Sequence, residues 1–258
     1  MRSPHGRLRT PMRVTAATFV LVTGMIASVG CSTGSAGAPA PRTPSDLLLP
    51  TSDLPPGFAA EALSVSDLVA GNRAGIDAAR TTRVTPEYCV PTADADLNGE
   101  LTADNSAVLA GRGGSGVLVE LVTKARRDID ADRLATTGRC ARTTTEITTG
   151  NLAGSRVVTE YTEIAPPEID GGLGAGEQML LTRSEVTTTL PDGGVRRQVG
   201  FAGYAALDRP ASGPVTVQLT VSGAATPAAD PPTDPTEPVD SAAMAELFGD
   251  AIGRVTVP

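Results

Sequence analysis

The sequence predicts an α+β fold, a curved antiparallel β-sheet with packed helices, on three observations. Residues 215–221 alternate, with Val215, Val217, Leu219 and Val221 on one side and Thr216, Gln218 and Thr220 on the other, as in an antiparallel strand with one wet face. Segments 179–190 and 195–207 flank Pro191-Asp192-Gly193-Gly194, which has the turn chemistry of a hairpin. Met244, Leu247, Phe248, Ala251, Ile252 and Val255 follow helical spacing, so one face of a closing amphipathic helix packs onto the sheet. Strands in succession with helices set apart from them give this class.

The remaining elements follow in chain order. Leu47, Leu48 and Leu49 form a short apolar anchor before the turn at Pro55-Pro56-Gly57. A strand is expected over 58–65, then a helix over 67–80 capped by Ser66, with Leu68 and Ile76 on one face and Gly71 and Gly75 weakening it. Residues 84–91 read as irregular. The stretch 117–123 (VLVELVT) is nearly all apolar, as in a strand covered on both sides. A short helix begins in the acids Asp128, Asp130 and Asp132, which favour a helix amino terminus, and a strand is expected over 156–164. Residues 224–240, rich in Pro and Asp, suit an exposed loop leading to the last helix.

Residues 1–30 read as an address. Arg2, Arg7, Arg9 and Arg13 lead an uncharged, largely apolar run over 14–30, and no acid occurs before Asp46. Basic lead, apolar run and small residues make the pattern of a secretory signal, and the run falls short of the ~20 apolar residues a spanning helix needs. Ser28-Val29-Gly30-Cys31 resembles the lipobox of bacterial lipoproteins, with Ser28 standing where leucine is usual. That resemblance implies lipidation of Cys31, a new amino terminus there, and residence on the extracytoplasmic face of the cell membrane. Residues 31–45 are a Ser/Gly/Ala/Pro tether, and 46–258 suit one extracytoplasmic domain.

Composition excludes more than it selects. The chain has 21 basic and 29 acidic residues; without the four arginines of the first thirty residues its balance shifts from −8 to −12. Such a surface repels phosphate backbones, so nucleic acid is not an expected partner. The one histidine, His5, lies in the expected signal, and there is no tryptophan. Without histidine, Ser-His-Asp and Cys-His chemistry and the usual catalytic zinc ligands are gone, so no enzyme and no cofactor are expected. Cys89 and Cys140 remain as an even pair in an oxidising compartment, where a disulfide is the default. A redox or metal-binding role lacks both Cys-x-x-Cys spacing and a third ligand.

Several motifs compete with structural readings. Residues 111–116 match G-x-G-x-x-G, but a strand follows where a dinucleotide site needs a helix, so a turn fits better. Gly171, Gly172, Gly174 and Gly176 form a similar glycine-rich loop. Asp94, Asp96, Asn98 and Glu100, with Gly99, resemble the start of an EF-hand calcium loop; Asn105 stands where that family has an acid, and a solvated acidic turn is the competing account. Glu160 and Glu163 on a strand would point to opposite faces, and Ser115 and Ser155 have no base in view.

The order of lipobox, tether, LLLPTSDLPPGF, helix, VTPEYC, second cysteine, hairpin, VTVQLTVSG and final helix resembles uncharacterised actinobacterial lipoproteins. It is similar in layout to the extracellular sensor domains of mycobacterial-type Ser/Thr kinases. The resemblance implies a non-catalytic binding or sensor-like module held at the membrane by its lipid, with an unknown envelope ligand or protein as partner. A carrier of lipid or another apolar molecule would instead show a large apolar pocket. A hydrolase using carboxylates alone would show two acids converging in a cleft.

Overall fold

The computed structural model describes residues 42–90, 92–169, 171–209, 213–228 and 235–256. Its ten strands are β1 (Phe58–Glu61), β2 (Thr82–Thr85), β3 (Ser106–Gly113), β4 (Gly116–Thr123), β5 (Arg142–Ile147), β6 (Arg156–Glu163), β7 (Gln178–Thr189), β8 (Val195–Arg209), β9 (Gly213–Gly223) and β10 (Thr226–Pro227). They form one open antiparallel sheet in the order β1-β3-β4-β9-β8-β7-β6-β5-β2. Helices are α1 (Val65–Ala79), α2 (Ala93–Asn98), α3 (Ile129–Thr136) and α4 (Ser241–Thr256). The α+β expectation is met.

β10 continues β9 along the same side of β8. Ser222 faces Gly200; four residues on, Thr226 faces Arg197, only three residues back. The extra residue is a bulge, which bends a strand and ends its regular pairing. Both outermost strands, β1 and β2, have four residues, which keeps the unpaired edges short.

Register sorts the side chains onto two faces. On the first, Leu118 of β4, Val221 of β9 and Phe201 of β8 lie in one row, and Val122, Val217, Ala205 and Met179 in another. Over them lie α4 and the segment carrying Leu47 and Leu49, and together they make the main core. All six expected apolar positions of α4 are buried there. The helix starts where Asp240 accepts the Ala243 N–H. Phe248 lies flat on Gly203, where a β-carbon would come within 2.8 Å of the ring. A larger residue at 203 would overpack this contact.

The second face carries α1, α2 and α3. Leu121 packs with Val65, Leu97 and Leu101, while Ile129 packs with Leu180 and Ala206. This corrects the expected wet face of β9: Thr216 is buried, donating to the Ala125 carbonyl and accepting the Arg127 N–H. The strand pattern showed polarity, but a hydroxyl buries readily when another segment supplies partners. α1 is capped by Ser64, not Ser66: the Ser64 hydroxyl accepts the Asp67 N–H while Asp67 reaches back to the Ser64 N–H.

The 111–116 glycines form the β3–β4 hairpin turn, with Gly113 facing Gly116. Pro191–Gly194 closes β7 onto β8 as expected. Within 224–240, Pro238 is buried and Glu237 pairs with Arg183, so the loop is pinned at its end. No described helix is long and apolar enough to cross a membrane.

Candidate functional site

Three features of the molecule bear on function: a buried arginine, a buried glutamate, and an open groove. The arginine lies on the second face. Arg127 is 2% exposed and sits 4.0 Å over the Tyr204 ring. Its Nε and Nη2 donate to the two carboxylate oxygens of Asp132 at 2.6 and 2.8 Å, and Nη1 donates to Asp94 and to Gln218. Burial opposes the guanidinium charge, but Asp132, Tyr204 and Asp94 more than offset it, so the group stays cationic. Burial also raises Asp132, against the pull of Arg127, and pushes the Tyr204 phenol well above its ordinary range. All three nitrogens of the fork donate, in four hydrogen bonds, which makes this a structural centre.

That centre takes up the acids singled out in the sequence. Asp94, Asp96 and Asn98 lie in helix α2, where the oxygens of residues i, i+2 and i+4 do not converge. Asp94 is held by Arg127, the Asn98 amide donates to the Val69 carbonyl, and Asn105 folds back on Thr102 and the Glu100 carbonyl. Asp128 caps α3 by accepting the Ala131 N–H, and Asp130 accepts from Gln178. Glu160 pairs with Arg142 and Glu163 with Arg133. Among the described residues no three His, Cys, Asp or Glu side chains gather as metal ligands. Cys31 lies outside the described residues. Ser155 is buried with its hydroxyl unpartnered, and the 171–176 loop is tied down by Glu177, which accepts the Gly174 and Asp208 N–H groups and pairs with Arg209.

Among the described residues, Glu120 is the one ionisable side chain buried in the α4 core. Its row runs from Leu109 through Glu120 and Leu219 to Gly203 and Leu181. One carboxylate oxygen accepts the Leu49 N–H at 2.9 Å, and the other has no partner. Burial pushes its pKa up to about 7, against the opposing pull of the Leu49 N–H and of Arg254 on α4. In the unfolded chain Glu120 would titrate near 4.5, so folding favours its protonated form. The contribution of Glu120 to stability is therefore highest below about pH 4.5 and is lost as pH rises through 7, by about 3 kcal/mol at most. Denaturant melts from pH 4.5 to 8 should show this slope, and Glu120→Gln should flatten it and be the more stable protein at pH 8. Parallel slopes in both proteins would disprove the assignment.

The groove lies on the second face, at the β6–β5–β2 end of the sheet. There α1 crosses without closing down: only Val65 of this helix is fully buried. Beneath it is a half-open recess of about 690 Å³, within the range of small-molecule sites. Gly75, Ala78 and Ala79 form its roof; Val84, Ile147, Val157 and Leu152 line its floor and rim. Cys89 borders it, and its bond to Cys140, the disulfide expected from the sequence, fixes the segment after β2. Among the described residues, none that lines it is charged.

The groove was missed in the sequence because four separated elements build it. The small residues at 75, 78 and 79 were the available signal, but of these only Gly75 was singled out, as weakening the helix. A second recess of about 510 Å³ lies between α4 and residues 42–53, but Arg42, Asp53, Asp250 and Arg254 line it, and it carries no comparable selectivity.

Compared with known proteins, the chain is similar to an uncharacterised protein of Mycobacterium smegmatis solved by X-ray crystallography, at 15% identity and a TM-score of 0.38, covering 67% of this chain and 76% of that one. No protein-family model matches, and no curated protein does.

Proposed function

We propose that this chain is a non-catalytic, sensor-like binding module, held on the extracytoplasmic face of the membrane by lipid on Cys31, which takes a small ligand into the α1 groove. The observation that supports it is the groove itself: a 690 Å³ recess without a charged lining residue, in a strongly acidic chain. Apolar surface left wet in such a recess forgoes about 25 cal/mol per Å², which the apolar part of a ligand would recover. The sensor-like reading also draws on the order of elements, and anchoring draws on the Cys31 motif. The carboxylate-only hydrolase gains nothing from the geometry, since the acids that meet do so on arginines: Asp94 and Asp132 at Arg127, and Glu185 and Glu237 at Arg183.

Two measurements on the full chain test this. Labelled palmitate should enter the protein in its host, and Cys31→Ala should abolish incorporation and move the protein out of the membrane fraction. Native mass spectrometry of the detergent-extracted protein should show a small mass that leaves on unfolding. Unchanged fractionation of Cys31→Ala refutes the anchor; a bare polypeptide mass under ligand-preserving conditions refutes the binding module.

A further inference from the structure

The α1 groove is chemically graded. Cross-strand register places Val84, Thr145 and Val157 in one row and Thr82 opposite Ile147 in the next, so this end is mainly apolar. In the other direction Thr143 faces Thr159, and Tyr161 follows two residues along β6 on the same face. Thr143 is 7% exposed, yet among the described residues no hydrogen bond is made by its hydroxyl, nor by those of Thr145, Thr159 and Tyr161. Of the four only Thr143 is a buried residue, and none of the four hydroxyl oxygens is sealed from water; facing the recess without protein partners, they can bond a ligand's polar atoms. The roof is built from small side chains at i, i+3 and i+4 of α1, which leave room for a chain beneath the helix.

We propose that this groove binds an uncharged single-chain amphiphile, with its chain along Val84, Ile147 and Val157 and its hydroxyl or ester end at Thr143, Thr159 and Tyr161. This rests on the binding-module reading and adds the ligand class. Charge decides between candidates. A carboxylate or phosphate in the groove would lose its water and meet no cation, a cost that neutral hydroxyls avoid. Burial, and after it the charge of Asp94, raise the Tyr161 phenol above its ordinary range, so it faces the groove as a neutral hydroxyl.

The test uses the full chain in phosphatidylcholine vesicles and a monoacylglycerol carrying a photoreactive diazirine in its acyl chain. Peptides from α1, β5 and β6 should be labelled. Excess 1-monooleoylglycerol should remove this label, while the same excess of oleate should not. Ala78→Trp, which fills the space under the roof, should cut groove labelling at least tenfold. Tyr161→Phe should weaken competition by monooleoylglycerol by about fivefold, the effect of one hydrogen bond. Equal competition by oleate overturns the ligand class while leaving a binding groove. Absence of groove labelling, or labelling indifferent to Ala78→Trp, overturns the class and the binding-module reading together.

Discussion

Replacing Arg127 with methionine is expected to destabilise the domain by about 3–5 kcal/mol, the usual cost of removing one partner from a buried ion pair. The loss arises because Asp132, itself 6% exposed, is left in the core without its two-pronged partner, while Tyr204 loses the cation over its ring. For a domain of this size the midpoint of thermal unfolding should drop by roughly 10 °C. The double variant Arg127→Met, Asp132→Asn should recover part of that loss, because it removes the stranded charge as well. Calorimetry on parent, single and double variants decides it. If the double variant is no better than the single one, the stabilisation comes from packing of the arginine stem and not from charge pairing.

The second large effect is expected from the disulfide. Cys89 and Cys140 are 51 residues apart, and closing a loop of that length stabilises by about 4 kcal/mol in the chain-entropy model. Cys140→Ser and the parent under reducing conditions should therefore unfold at similarly lowered urea concentrations. Because Cys89 borders the groove, the same change should loosen the segment after β2 and weaken ligand retention. Oxidised and reduced parent unfolding at the same urea concentration would refute the constraint.

What was legible in the sequence tracks hydropathy contrast. α4 and β9 present clean periodicities, and their inward positions were read residue by residue. β5 was missed because Arg142–Ile147 is half threonine, so its two faces look alike to a hydropathy pattern. β2 was hidden for a similar reason, being four residues of mixed polarity beside proline. Arg127 was unreadable in another way: within Lys124-Ala125-Arg126-Arg127-Asp128 it looks like a solvated charge run. Its partners Asp94 and Gln218 come from distant positions. Glu120 was the available clue not taken up, a lone carboxylate inside VLVELVT. Hydroxyls facing the groove carry no local signature, because their meaning comes from sharing a cavity with α1.

The attachment of the segment at 44–54 has a mechanical consequence. Leu49 is fastened to Glu120 in the middle of the sheet, and Arg254 of the final helix grips the carbonyls of Leu48 and Asp46. Tension arriving through residue 42 would thus load the α4 layer first, shearing those bonds against the longest helix. The layer with the α1 groove, on the reverse side of the strands, would bear none of that pull until the clasp at Leu49 gave way.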